Sequence, residues 1–196
     1  MEIDIYDFDK TLIPFDSGSL FLGYCFIHYP WAIINLPLIM IGGLLTLLKI
    51  ISFTQFKKIC FLSVSLVPLK KAVKGFWDRH EKQIYPWFFE RKRKGVVISA
   101  SPDFLLEEIA KRAGFDYLIC TRHNRKTGAI IGENCRGEEK VRRLYEEFDK
   151  DSIKIIDVYS DSYKHDKYIF SLANSNCYHI ENSERVKFSY SEKYGK

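Results

Sequence analysis

Asp7-Phe8-Asp9-Lys10-Thr11 places two carboxylates one residue apart, directly after a short apolar run that begins at Ile3. Ile3, Ile5 and Phe8 read as a strand entering a core, with Asp7 where that strand stops. In open α/β sheets, ligands bind beyond the carboxyl ends of the strands. A carboxylate placed there can attack phosphorus and carry the phosphoryl group as an aspartyl phosphate. A second acid two positions on can protonate the leaving oxygen and later activate water. Taken alone, an acidic pair at a strand end is more often turn or helix-capping chemistry.

Other parts of the chain supply elements that could position such a pair. Gly95 to Ser99 reads as a buried parallel strand ending in a hydroxyl, in the run Gly95-Val96-Val97-Ile98-Ser99-Ala100-Ser101-Pro102-Asp103. A helix from Pro102 to Ala113 follows, capped at Ser101 and stopped by Gly114. Gly137-Glu138-Glu139-Lys140-Val141 opens another helix and supplies a lysine. Ile153 to Val158 is a further buried strand, ending at Tyr159-Ser160-Asp161-Ser162, with Asp166 beyond it. Strands are expected near 2–7, 95–99, 116–120, 153–158 and 176–180, and helices at 102–113, 137–148 and 165–173. This alternation predicts an α/β fold: a Rossmann-like parallel sheet with helices on both faces.

Four motifs in this order resemble the haloacid dehalogenase superfamily of phosphatases, whose first motif is Asp-x-Asp-x-Thr. The resemblance covers residues 1–15 and roughly 90–185, and it implies a role for each motif residue. Asp7 is the nucleophile, and Asp9 the general acid and base whose backbone carbonyl also meets the metal. Ser99, with Ala100, and Lys140 hold the transferring phosphoryl oxygens, while Thr11 shapes the loop and lies at the phosphate. Asp161 completes a metal site with Asp7 and Asp9. The implied cofactor is Mg²⁺, because a carboxylate attacking a phosphate dianion needs a cation between them. Family members commonly carry Gly-Asp at the fourth motif, with another Asp four residues on. Here Ser160 precedes Asp161 and His165 stands four on, so Asp166 is taken as the supporting acid; histidine suits Mg²⁺ poorly.

Between the first and second motifs lies an insertion, about 13–88, expected as an apolar helical cap on a core formed by 1–12 and 89–196. From Leu12 to Phe56 only Asp16 and Lys49 carry charge, and Tyr29 to Leu48 has none. That run is long enough to suggest a membrane span. A single crossing would separate Asp7 from Ser99, Lys140 and Asp161, which must share one pocket. Pro30, Pro37 and Gly42-Gly43 also divide the run into short pieces. A helical hairpin lying in or dipping into a membrane interface fits these limits, as does a soluble cap with internally packed faces. Trp31 and Tyr29 suit an interfacial aromatic belt. Lys57-Lys58, Lys70-Lys71, Lys74 and Arg91-Lys92-Arg93-Lys94 suit anionic lipid, or simply solvated helix ends.

Within the superfamily, the apolar cap, Asp16 and Cys135-Arg136-Gly137-Glu138-Glu139-Lys140 look like bacterial phosphatidylglycerophosphate phosphatases and related phosphoserine-phosphatase-like members. The implied substrate is a phosphomonoester on a lipid headgroup, handled at the cytoplasmic face of the cell membrane. A soluble phosphatase for phosphoserine or a sugar phosphate is the alternative, and a non-catalytic membrane-binding module a third. Thr121 to Gly132 is expected as a hairpin, with Asn124 and Gly128 as turn residues and Arg122, Arg125 and Lys126 available to a headgroup. Five scattered cysteines without a Cys-x-x-Cys pair suggest a reducing compartment. The acidic N-terminus does not resemble a secretory signal. A net charge of +5 without aromatics among the basic runs argues against nucleic acid as a partner.

Overall fold

A computed structural model of the chain describes residues 1–195. Six strands among them form one sheet: β1 (Glu2–Tyr6), β2 (Lys94–Pro102), β3 (Tyr117–Thr121), β4 (Lys154–Ser160), β5 (Asn176–Glu181) and β6 (Glu184–Phe188). Their order is β3-β2-β1-β4-β5-β6. The first five run parallel, and β6 returns antiparallel on β5. β1 is central, with Ile5 opposite Val96 on one side and Val158 on the other. The parallel α/β architecture is the one the apolar runs predict; β6 was not expected. Asn182 and Ser183, both at positive φ (49° and 75°), make the two-residue turn into it, as twisted hairpins require.

Side-chain alternation sends successive strand residues to opposite faces of the sheet. Ile3, Ile5, Val96, Ile98, Ile155 and Val158 form one core with Leu144 of a helix at Glu138–Glu147 and with Ile169 and Phe170 of a short helix at Lys167–Phe170. Tyr6, Val97 and Tyr159 face the other way, against Leu105, Leu106 and Ile109 of the helix Asp103–Ala113. In chain order the helices are α1 (Ser17–His28), α2 (Leu36–Leu47), α3 (Phe53–Phe61), α4 (Leu69–His80), α5 (Asp103–Ala113), α6 (Glu138–Glu147), α7 (Lys167–Phe170) and α8 (Tyr190–Tyr194). The helix expected over 165–173 is confined to the four residues of α7, and α8 was not expected.

Phe21, Phe61, Phe76 and Trp77, from α1, α3 and α4, join Phe8, Phe104 and Leu105 in the same core as the sheet. Each such buried aromatic contributes roughly 2–3 kcal/mol. The Trp77 indole N–H donates to the Leu105 carbonyl at 2.7 Å. The inserted helices are therefore packed onto the sheet's helical layer through one shared core.

A hairpin follows β3, as expected, with His123 opposite Ile130 and the Asn124 carboxamide accepting from Lys126 N and Thr127 N. Gly128 is at φ 73°, and a Cβ there would lie 1.8 Å from the Phe61 carbonyl oxygen. Only glycine lets this hairpin touch the last turn of α3. Gly128→Ala should lower stability by about 2–4 kcal/mol, from strained φ and backbone overlap together. Denaturant midpoints would read this; an unchanged midpoint would mean that the hairpin does not hold α3.

The insertion also carries an exposed apolar helix. Pro30–Leu47 form an 18-residue run of mean hydropathy 1.8, only 11% of it buried. Met40, Ile41, Leu44, Leu47 and Leu48 follow helical spacing along α2 and are all exposed, Leu47 at 78%. On the opposite side, Gly42 packs against Ile59 and Phe56 of α3. At 1.5 Å per residue α2 is about 18 Å long, short of the roughly 30 Å of a hydrocarbon core. Its composition is that of a buried helix, and its position is that of a surface one.

Arginines of two basic clusters pair with acids of the fold. Arg93 pairs with Asp4 at 2.8 Å and Asp157 at 2.5 Å, and Arg91 with Asp116 at 3.2 Å. In the hairpin, Arg125 pairs with Glu107 at 2.6 Å. Arg91, Arg93 and Arg125 are thus paired with acids of the fold rather than free for lipid headgroups.

Candidate active site

Asp7 sits one residue past β1, where its N–H still donates to the Tyr159 carbonyl at 2.9 Å. The chain then turns, with Thr11 N and Leu12 N both donating to Phe8 O and Lys10 at φ 58°. That left-handed residue is a local strain, of a kind concentrated at functional sites. The Thr11 hydroxyl donates to Asp7 Oδ2 at 3.3 Å and accepts from Asp161 N at 2.9 Å. Thr11 thus ties the ends of β1 and β4 together. It is fully buried behind the cleft and so shapes the loop without lining the phosphate position, a correction to its expected place.

Lys140 projects from the first turn of α6 to the same point. Gly137, at φ 63°, starts that helix. The Lys140 ammonium lies 2.6 Å from Asp7 Oδ1 and 2.8 Å from Asp166 Oδ1, and only 2% of the residue is exposed. Asp166 is fixed in turn by the Ser160 hydroxyl, which donates to its Oδ2 at 2.5 Å. Ser160, found where the motif commonly has glycine, is therefore the residue that orients the supporting acid. His165 lines the cleft but takes no part in this carboxylate cluster.

Oxygens of Asp7, Asp161 and Asp166 lie within 4.8 Å of one another. Three carboxylates around one ammonium leave an excess of negative charge. Burial first, then the Asp166 charge, pushes Asp161 up to about 6. Burial would push the Lys140 ammonium down, but Asp166 and Asp7 outweigh it and keep the lysine charged. A hard divalent cation with oxygen ligands relieves the surplus, so the donor set fits Mg²⁺. Asp7 and Asp161 are the side chains available to hold it, with Asp166 beside them.

Asp9 is engaged on the other side. Its Oδ1 accepts from the backbone N–H of Ser17 at 2.7 Å, and its Oδ2 from the Ser101 hydroxyl at 2.5 Å. The Ser17 hydroxyl donates to Ser101 Oγ at 3.1 Å. Burial, then the nearby Asp16 charge, raises the Asp9 carboxyl above the usual range, while Ser101 and Ser17 oppose the rise. Ser101 was expected to cap α5; it belongs to β2, makes no cap bond and serves Asp9 instead. The cause is a strand longer than its apolar run, which carries Ser101 to the sheet's edge above β1.

Ser99 is buried and faces the cleft, its hydroxyl accepting from Ser101 N at 3.0 Å. Ala100 lines the cleft beside it, with its carbonyl accepting from Thr121 Oγ1 at 2.9 Å and from the Lys57 ammonium at 2.6 Å. The cleft encloses about 240 Å³, and Phe53, Lys57, Lys10, Asp16 and Arg136 complete its walls. Sequence reasoning did not assign Ser17, Ser101, Lys57, Phe53 or Arg136 to the site. Phe53 and Lys57 are four apart on α3, a shared helix face; that spacing was visible, but not the direction in which the face points.

Known proteins share this fold. Protein CicA of Caulobacter vibrioides is 35% identical over 92 residues, a stretch covering 44% of this chain and 40% of CicA. A Bordetella pertussis Tohama I protein of unknown function superposes with TM-score 0.68 at 18% identity, over 83% of this chain and 82% of that one. A phospho-aspartyl intermediate analogue of phosphoserine phosphatase superposes with TM-score 0.56 at 19% identity, over 88% and 82% of the two chains. The haloacid dehalogenase-like hydrolase family matches residues 5–168. The chain belongs to that family.

Proposed function

We propose that the chain is a Mg²⁺-dependent phosphomonoester hydrolase that works through an aspartyl phosphate on Asp7. The observation that carries this reading is the meeting of Asp7, Asp161 and Asp166 within 4.8 Å, with Lys140 at 2.6 Å from Asp7. Asp7 attacks phosphorus, the ester P–O bond breaks, and the departing oxygen takes a proton from Asp9. Asp9, now ionised, takes a proton from water as that water attacks the phosphorus, releasing phosphate and restoring Asp7. Both Asp9 oxygens hold hydrogen bonds, so the carboxyl turns from one partner to reach the leaving group. Lys140 and Ser99 orient the phosphoryl oxygens, and Lys140 also offsets their charge. A bound Mg²⁺ supplies the charge that lets a carboxylate approach a phosphate dianion.

The substrate proposed is a lipid phosphate such as phosphatidylglycerophosphate, met at the cytoplasmic membrane surface. The exposed apolar face of α2 supports this, because α2 packs directly on α3, whose Phe53 and Lys57 line the cleft. A second reading, a soluble phosphomonoester such as phosphoserine, is favoured by the likeness to phosphoserine phosphatase. Phosphate release from phosphatidylglycerophosphate vesicles and from phosphoserine, each with Mg²⁺ and with EDTA, tests both. Mg²⁺-dependent release from the vesicles at the higher kcat/KM is expected. Faster hydrolysis of phosphoserine selects the soluble reading, and release unaffected by EDTA rejects the metal.

A further inference from the structure

Three cations line the catalytic cleft besides Lys140: Lys10, Lys57 and Arg136. Lys140 gives two of its three donors to Asp7 and Asp166, keeping one for the transferring phosphoryl group. The acids near the remaining cations are satisfied elsewhere, Asp9 by Ser17 and Ser101 and Asp16 by the Ser19 N–H of α1. Among the described residues, neither Lys57 nor Arg136 forms an ion pair with a carboxylate. Lys57 spends one N–H on the Ala100 carbonyl, leaving two. Arg136 lies with its guanidinium 5.2 Å from the centre of the Phe53 ring, which holds it while leaving its in-plane donors open. Burial disfavours the charge on Lys57, while Asp9 and Asp16 support it and Arg136 opposes it. Two unpaired, mutually repelling cations on one cleft wall are an arrangement that an anion relieves.

Resting on the phosphatase reading above, we propose that Lys57 and Arg136 form a second anion subsite beside the scissile phosphate. Preferred substrates then carry a second anionic group, a phosphodiester or a carboxylate, a few atoms from the phosphomonoester. Arg136 suits either group, because its planar fork pairs with two oxygens at once. Lys57, on α3, would bring that group under the helix that packs against α2.

A hydrolysis-independent probe tests the subsite. Calorimetry on the Mg²⁺-loaded protein compares 3-phosphonopropionate, which has a carboxylate, with propylphosphonate, which does not. The wild-type protein should bind the first at least about tenfold more tightly, the factor that 1.4 kcal/mol provides. Arg136→Gln and Lys57→Gln should each shrink that ratio, Arg136→Lys should restore part of it, and thermal melts should remain those of a folded protein. Equal affinity for the two phosphonates in the wild type overturns the subsite, as does an equal loss for both in the variants, which would assign these cations to the transferring phosphoryl group. Failure of the phosphatase reading would show separately, as absence of phosphate release with the phosphonate ratio intact. The kcat/KM ratio of phosphatidylglycerophosphate to phosphoserine then tells which anion is native: a ratio above one assigns a lipid phosphodiester, and below one a soluble carboxylate.

Discussion

Asp7→Asn protein should release phosphate at least roughly 10⁴-fold more slowly than wild type, the scale of losing a covalent nucleophile. The amide keeps the shape of the side chain and can still meet Thr11 and Lys140, but it cannot form an acyl phosphate. The change should not unfold the protein. Burial raises the Asp7 carboxyl most; Lys140 opposes that, while Asp166 and Asp161 add to it, leaving it at about 8. A carboxyl raised in the folded state destabilises as pH climbs from its unfolded value, near 4, to its folded one. The neutral amide escapes that loss. At pH 7.5 without metal, Asp7→Asn should therefore melt no lower than wild type, while being inactive. Residual turnover within tenfold of wild type would remove Asp7 as nucleophile. A large drop in melting temperature would show that the Lys140 pair stabilises the fold more than charge crowding opposes it.

Ile41, Leu44 and Leu47 replaced together by Glu should cost the protein at least 100-fold in affinity for anionic lipid vesicles. All three are exposed on one side of α2. Each apolar side chain inserted at the interface contributes roughly 1–2 kcal/mol, and the introduced carboxylates are repelled by anionic headgroups. Because these side chains touch water and not the core, the melting temperature should change by a few degrees at most. Sedimentation with vesicles measures the first effect and calorimetry the second. A wild-type protein that stays in the supernatant would defeat the membrane reading, leaving the aspartyl-phosphate chemistry untouched. A triple variant that loses its fold would show that the surface is a packing face.

The parallel strands were legible because strands buried on both sides are unbroken apolar runs. Asp7 and Asp161 were legible as acids at strand ends, where such a sheet binds ligands; Asp166, beyond the strand, was reached through the family resemblance. β6 escaped notice for the opposite reason. Glu184-Arg185-Val186-Lys187-Phe188 is an exposed edge with little apolar content, although Asn182-Ser183 before it is a turn signal. Ser101 was misplaced because a hydroxyl at a strand-to-helix junction reads as a cap. Its attachment to Asp9, 92 residues away, is a tertiary fact. The same holds for Lys57, whose lysine-rich neighbourhood suggests solvent, yet whose ammonium is drawn inward by the Ala100 carbonyl. Arg93 shows the reverse: a guanidinium in a basic run that looked available is bound to Asp4 and Asp157, acids hidden inside strands.

Ile5 hydrogen-bonds beside Val158, so the middle strand of the sheet waits for a partner made some 150 residues after it. On a ribosome, Asp7 emerges well over a hundred residues before Asp161, its proposed partner at the cation. A nascent chain halted short of residue 160 carries α2's greasy surface and one unsatisfied edge of β1, with no site to show for them. Such contacts of long sequence separation fold late and leave sticky intermediates exposed meanwhile. Assembly of the proposed catalytic carboxylates is thus also the step that pairs β1 with β4.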